Sequence, residues 1–422
     1  MNKSPKETPQ TILIASLGGS PQPVRTAVSA IKPDLTVFVA TEGTKASIIS
    51  NEKPKPEPYS PPKSLGPDEP TLAELAGKNE TLLVNPDEPD GIFAAVKDKL
   101  AYLKQQYPGA KIIVDYTGGT KSMSAGMVYA AISEEGVELQ FMLGQRPDTT
   151  KIADGTEKPQ RMATDLLVAE RLIAEARAAM RSFDYQVAAA ILERLHRDAE
   201  TRQFGKREWR KALHDKAIFA RGLHRWDIFD HTGANNDLEH IFPETHPLMQ
   251  RLARLTSPEK EPEILFDLWL NALRRAERGR YDDAMARAYR MVEWVAQWRF
   301  RVKLGAPNGT SKYPVTDIPS RYRKKWKLPE SGYYDLGLVK AWKVLHEKGL
   351  DERYAKSVYD AIQKLEDILE KRNHSILAHG YDPVNEKLWG AAIGWIKPNI
   401  VALIQKNESL ALPEQLPKNF PD

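Results

Sequence analysis

From Thr11 to Leu143 the chain alternates short runs of branched apolar residues with segments of helical period, and this limits the fold more than any other feature. Residues 12–15, 35–40, 81–84, 112–114 and 137–143 read as strands, and residues 24–31, 92–107 and 121–133 read as helices between them. Parallel strands need crossover connections, and helical crossovers cover both faces of the sheet. The expected N-terminal domain is therefore Rossmann-like α/β, over residues 1–160. Ligands of such sheets sit outside the carboxyl ends of the strands. Between Pro54 and Pro70 seven prolines fall within seventeen residues, which excludes a helix or central strand and marks a surface loop.

After about Gln160 the strand signals end, and residues 165–200 read as amphipathic helix. Residues 176–192 and 273–292 resemble each other, each placing alanines around an aromatic-Asp turn: Phe183-Asp184-Tyr185 in the first, Tyr281-Asp282-Asp283 in the second. Two copies are too few for a solenoid, so residues 161–305 read as a helical connector. Residues 306–332 are irregular, with Arg321, Arg323, Lys324, Lys325 and Lys327 around Tyr322 and Trp326. Cations among aromatics suit single-stranded nucleic acid, although a solvated basic loop is the simpler account. From Leu336 the chain is helical again to about Ile404.

The 422 residues suffice for two or three domains, and 41% hydrophobic with 28% charged residues is the composition of an ordinary globular chain. The formal charge of +4 leans weakly towards a polyanionic partner. With no cysteine in the chain, disulfides, thiolate nucleophiles and Cys-ligated zinc are excluded. No apolar run is long enough to span a membrane and residues 1–10 do not form a signal peptide, so the expected location is cytoplasmic.

The strand at 112–114 runs into Asp115-Tyr116-Thr117-Gly118-Gly119-Thr120-Lys121-Ser122-Met123, and a helix follows at once. The glycines allow a tight turn with bare N–H groups, Thr117, Thr120 and Ser122 add hydroxyls, and the helix N-terminus favours an anion. Lys121 is placed to reach a phosphate oxygen. A matching turn, Ser16-Leu17-Gly18-Gly19-Ser20, follows the first strand. Either turn alone reads as a tight strand-to-helix connection, but the two together read as one phosphate-binding crevice. Neither fits the Walker or Gly-x-Gly-x-x-Gly pattern, which weakens an NTPase or dehydrogenase reading. Thr41, after the second strand, and Gln145-Arg146, after the last, are further candidates by position.

Between Tyr354 and Leu369 apolar residues recur at three and four, the stripe of one long helix. Steps of seven along it pass through Val358 and Leu365 to Arg372 and His379, so two polar groups stand where the stripe asks for apolar ones. Seven residues turn about 700° and rise roughly 10 Å, so both side chains share a face but do not meet. A two-fold pairing of such helices would bring Arg372 of one chain to His379 of another. Arg372 also suits a helix end, and His379-Gly380 a helix cap. Asn373 is an adjacent polar group, whereas His374 points about 200° away from Arg372.

The segment from Asp115 to Met123 resembles the ligand motif of CARF domains. Arg372 and His379, with Asn373 and five more residues between them, match the Arg-x4-6-His pattern of HEPN ribonucleases. In order and separation the two resemble the CRISPR-associated CARF-HEPN ribonucleases of type III systems, and the resemblance spans almost the whole chain. It implies an all-α C-terminal region ending in a HEPN domain, here residues 306–422. The implied activator is a cyclic oligoadenylate bound across a two-fold axis. The implied enzyme is a metal-independent endoribonuclease whose RNA 2′-OH attacks and leaves a 2′,3′-cyclic phosphate.

The resulting expectation is a homodimeric, ligand-activated endoribonuclease of antiviral defence that cuts single-stranded RNA and needs no metal or other cofactor. In it His379 is general acid/base, Arg372 stabilises the charged transition state and Asn373 orients one of them or the phosphate. Ser16, Gly18, Gly19, Ser20, Thr41, Asp115, Thr117, Gly118, Gly119, Thr120 and Lys121 line the activator site. Two alternatives stand: a nucleotide-binding sensor or regulator without nuclease activity, and a ring nuclease that degrades its own activator. A DNA-binding transcription factor is disfavoured, because no compact helix-turn-helix follows the sheet.

Overall fold

The computed structural model describes residues 9–50, 69–143, 158–162, 164–258, 260–305, 309–377 and 379–421, and the Pro54–Pro70 loop and Gln145-Arg146 fall largely or wholly outside them. The chain divides into two compact units, residues 1–171 and 172–422.

In the first unit β1 (Thr11–Ser16), α1 (Gln22–Ile31), β2 (Leu35–Ala40), α2 (Leu72–Ala76), β3 (Asn79–Leu83), α3 (Pro89–Gln106), β4 (Lys111–Asp115), α4 (Lys121–Ser133) and β5 (Val137–Leu143) follow in order. The sheet order is β3-β2-β1-β4-β5-β6, the first five strands parallel. β1 and β2 are buried on both faces, as strands covered by crossover helices must be. Ile12 and Ile14 pack with Val96, Leu100, Met123 and Met127 of α3 and α4. Leu13 and Ala15 pack on the other face with Val24, Ala27 and Val28 of α1 and Leu72 of α2. The Rossmann-like α/β domain is thus present, with two additions. Strand β6 (Lys158–Met162) pairs antiparallel to β5, where the sequence suggested that strands had ended. Its polar Lys-Pro-Gln-Arg-Met sequence has no strand period, and Pro159 is tolerated because the strand lies at the sheet edge. The other addition is α2, a single turn of helix closed by a capping box between Thr71 and Glu74.

The division between the units falls within α5 (Asp165–Arg181). Helices α6 (Tyr185–Arg202), α7 (Arg207–Asp227), α8 (His231–Leu238), α9 (Pro247–Thr256), α10 (Glu263–Glu277) and α11 (Tyr281–Leu304) follow. The single helix expected over 165–200 is two, broken at Ser182–Asp184. That break recurs. Phe183, Phe229 and Gly279 all take positive φ (57°, 69° and 70°), and each is followed by a residue near φ −85°, ψ 65°: Asp184, Asp230 and Arg280. Tyr185, His231 and Tyr281 then open the next helix, and Ala188, Ala234 and Ala284 are fully buried. Among the described residues three copies of one turn therefore exist, one more than expected.

The rest comprises a two-stranded ribbon, β7 (Tyr313–Pro314) and β8 (Tyr333–Tyr334), with α12 (Ser320–Arg323) between them. After it come α13 (Leu338–Glu347), α14 (Glu352–Asp360), α15 (Ile362–Asn373), α16 (Glu386–Ile396) and, after a π turn, α17 (Ala402–Glu408). No described helix is long and apolar enough to cross a membrane.

Candidate functional site

Strands β1 and β4 are neighbours at the point where strand order reverses, the topological switch point of the sheet. Their following turns touch. A Cβ on Gly118 would lie 2.4 Å from the Ser16 carbonyl oxygen, and one on Gly18 would lie 2.6 Å from the Gly119 nitrogen. Only glycine allows this approach, and Gly119 also needs its φ of +83°. Thr120 caps α4, its Oγ1 accepting from the Met123 N–H at 3.2 Å, so the N–H groups of Lys121 and Ser122 point outward from the first turn. Gly19, Ser20, Gly119, Thr120 and Lys121 are exposed, and Gly18, Thr41, Thr117 and Gly118 are half-buried around them. The Lys121 ammonium makes no hydrogen bond or ion pair among the described residues.

Two of the expected hydroxyls are engaged within the protein. Thr120 Oγ1 donates to the Pro86 carbonyl at 2.6 Å, and Thr117 Oγ1 accepts the Met142 N–H at 2.8 Å. The cradle therefore offers backbone N–H groups and a cation more than threonine hydroxyls. Thr41 likewise turns its hydroxyl to Thr44, 3.2 Å away. Ser16 is fully buried with its Oγ directed at the Asp115 carbonyl, 3.3 Å away. The Asp115 carboxylate, 2% exposed, accepts the Thr117 N–H at 2.9 Å and the Gln140 Nε2–H at 3.0 Å. Burial pushes this carboxyl above its ordinary range, against the opposing pull of Thr117 and Gln140. Ser16 and Asp115 thus build the turns from within. Gln140, unremarkable in a strand of the sequence, is the partner that reading missed.

In the second unit the stripe is buried as expected at Val358 and Leu365, but the helix is not continuous. It breaks at Ala361, between α14 and α15, and stops at Asn373. His379 is consequently not one helical heptad beyond Arg372. Instead the chain folds back on the end of α15. Ser375 N–H donates to the Arg372 carbonyl at 2.8 Å, His379 N–H to the Asn373 carbonyl at 3.1 Å, and Asp382 N–H to the His374 carbonyl at 2.9 Å. A Cβ on Gly380 would lie 2.0 Å from the His374 carbonyl oxygen, so glycine is required where the loop closes. This loop returns the backbone of His379 to that of Asn373, the residue after Arg372. His379 and Asn373 are exposed and Arg372 is half-buried.

The Arg372 guanidinium lies over the ring of Tyr289 on α11, 4.5 Å from its centroid, with long contacts from Nη1 to Asn373 Oδ1 (3.5 Å) and from Nη2 to the Leu377 carbonyl (3.4 Å). Tyr289 lies in the segment 273–292, but no local signal marked it as a partner of Arg372. Ile376, Leu377 and Tyr381 of the same loop are 66%, 48% and 94% exposed. The aromatic residues of the basic stretch, by contrast, stack on one another. Tyr322 and Trp326 are 4.7 Å apart, Trp326 and Tyr334 6.1 Å, and Tyr322 is buried, so that stack does not present itself as an open platform.

The fold defines a class of architecture: an N-terminal Rossmann-like α/β domain followed by a mostly helical region, interrupted by the short β7–β8 ribbon. Residues 254–397 match the family model described as the Csm6 HEPN domain. The matched segment takes in α10 and α11, and with them Tyr289. No curated protein matches the chain. Among solved structures, Csm6 from Enterococcus italicus bound to cyclic hexa-2′-fluoro-hexa-dAMP aligns over 94% of this chain and 95% of its own, at 13% identity and a TM-score of 0.54, and so shares its fold. Can2 from Sulfobacillus thermosulfidooxidans in complex with cyclic tetra-adenylate aligns over 55% of this chain and 65% of its own at 14% identity, with a TM-score of only 0.23. Protein VC1899 from Vibrio cholerae aligns over 64% and 69% at 8% identity, with a TM-score of 0.24.

Proposed function

We propose that this chain is a cyclic-oligoadenylate-activated endoribonuclease of CRISPR antiviral defence, cutting single-stranded RNA without a metal. The observation that carries the reading is the return of the His379 backbone to that of Asn373, beside Arg372, by a closed loop inside the segment that matches the Csm6 HEPN model. In the proposed step the RNA 2′-oxygen attacks the adjacent phosphorus and the bond from phosphorus to the 5′-oxygen breaks, leaving a 2′,3′-cyclic phosphate and a 5′-hydroxyl. His379 moves the proton, as base towards the 2′-OH or as acid towards the leaving oxygen. Arg372, held over Tyr289, stabilises the charge that builds on the phosphate oxygens, and Asn373 orients the phosphate.

One Arg-His set per chain and the exposed Ile376, Leu377 and Tyr381 beside it favour a homodimer paired through this loop. The proposed labour is divided as sensing in residues 1–160, connection in 161–305 and cleavage in 306–422, with α11 lending Tyr289 to the last. The sensor holds the activator's phosphates on the amides of Gly18, Gly19 and 118–122 and on Lys121, with Ser20 and Thr41 at the rim. Incubating the purified protein with labelled RNA and each cyclic oligoadenylate in turn tests the reading. Cleavage with one ring and none without it is expected, and no cleavage with any ring leaves a sensor without nuclease activity.

A further inference from the structure

After α17 the chain turns at Ser409, in the left-handed region at φ 55°, and runs from Leu410 to Pro421 without helix or strand. It is nevertheless held along its length. The sequence repeats an apolar-Pro pair every four residues: Leu412-Pro413, Leu416-Pro417, Phe420-Pro421. Each proline restricts φ, so the segment is stiffened towards an extended form before it docks.

Buried donors of the repeat helices read its main chain. Arg251 of α9 donates to the Glu414 carbonyl at 2.7 Å, and Tyr185 of α6 donates to the Pro417 carbonyl at 2.9 Å. The Gln415 amide is bracketed, its Oε1 accepting from Arg274 of α10 at 2.5 Å and its Nε2 donating to the Leu270 carbonyl at 3.0 Å. Tyr185, Arg251 and Arg274 are 1%, 7% and 0% exposed with the segment in place, and each gives it a hydrogen bond. Beyond them the Phe420 ring meets Phe219 of α7, 6.4 Å between centroids. Leu416, 2% exposed, is the segment's one fully buried side chain.

Main-chain recognition by buried donors, side-chain selection at one amide and an apolar-Pro period together describe a peptide in a groove. We propose that α6, α7, α9 and α10 form a binding groove for an extended apolar-Pro-x-x-apolar-Pro segment, and that Leu410–Pro421 is its resident and exchangeable ligand. The proposal stands independently of the nuclease reading. With one buried anchor, the segment detaches at less cost than unfolding the helices beneath it, and a tethered ligand competes at roughly millimolar effective concentration.

The test uses the full chain and a fluorescein-labelled peptide of residues 409–421. Leu416→Asp with Phe420→Asp releases the resident segment, and fluorescence anisotropy should show this variant binding the peptide at least about tenfold more tightly than the wild type does. Adding Tyr185→Phe should weaken that binding, and a peptide with its prolines displaced should bind poorly. A released variant that keeps its helical circular dichroism yet does not bind, or binds both peptides equally, overturns the proposal. If the released variant does not fold, a protease site inserted after Ser409 of the wild-type chain permits a nick and a chase. Exchange of the nicked segment for labelled peptide is expected, and its retention without exchange overturns the proposal.

Discussion

Arg372 owes its position to a ring on another helix. Tyr289 supports the guanidinium by cation–π attraction, worth about 0.5–2 kcal/mol, and the phenol hydroxyl is not needed for it. Tyr289→Phe should therefore keep activated cleavage within about twofold, whereas Tyr289→Leu should lower kcat by about tenfold with KM little changed. Equal kcat in both variants would remove Tyr289 from the site. Asp115 invites a similar comparison. Asp115→Ala strands the Thr117 N–H and the Gln140 amide in the interior, at about 1–3 kcal/mol, while Asp115→Asn keeps an acceptor for Thr117 and lets Gln140 turn its amide to pair. Burial raises the carboxyl pKa from 3.8, so the folded state holds its proton more tightly than the unfolded state. Wild-type stability contributed by this group is thus full at low pH and is lost as pH rises through the raised value. Asp115→Asn should gain on the wild type as pH rises above the unfolded value of 3.8 in denaturant melts, and a gap independent of pH would contradict the assignment. At this scale the close approach of the two glycine turns was legible, because Gly-Gly before a helix is a local signal. The sequence reading missed Tyr289 and Gln140, whose roles depend on contacts distant in the chain.

The elements that were misread failed for identifiable reasons. The strands of β-branched residues were legible, but β6 is polar and pairs as an edge, and α15 ends at Asn373 because the loop through Gly380 satisfies its last carbonyls. The stripe through Val358 and Leu365 was therefore correct while the heptad step to His379 was not. Of the three equivalent turns, the third was hidden by α8, only eight residues long and largely polar. Phe183 and Phe229 offset their positive φ by packing, Phe183 being 1% exposed, while Gly279 does so by having no Cβ. Gly279→Ala should cost about 1–2 kcal/mol from backbone strain alone, since no atom lies within 4 Å of the added methyl. No shift in the thermal midpoint would mean that the turn relaxes freely. At the start of α4, Lys121→Ala should leave the fold intact and weaken cyclic-oligoadenylate binding by about one to two decades, at about 1.5–3 kcal/mol per charge-assisted bond. An unchanged Kd in calorimetry would remove Lys121 from the cradle.

For the whole molecule, the proposed function assigns activator binding to the turns at the switch point of the first unit and RNA cleavage, through the substrate's own 2′-hydroxyl, to Arg372, Asn373 and His379 of the second. The most direct measurement is activated cleavage of a single-stranded RNA by the wild type and by His379→Ala in excess EDTA, with a parallel substrate carrying 2′-deoxy at the cut. The wild type should cut the RNA, spare the deoxy substrate and leave a 2′,3′-cyclic phosphate, while His379→Ala should lose about 10²–10⁴-fold in rate with activator binding retained. Full cutting by His379→Ala, or equal cutting of the deoxy substrate, would contradict it.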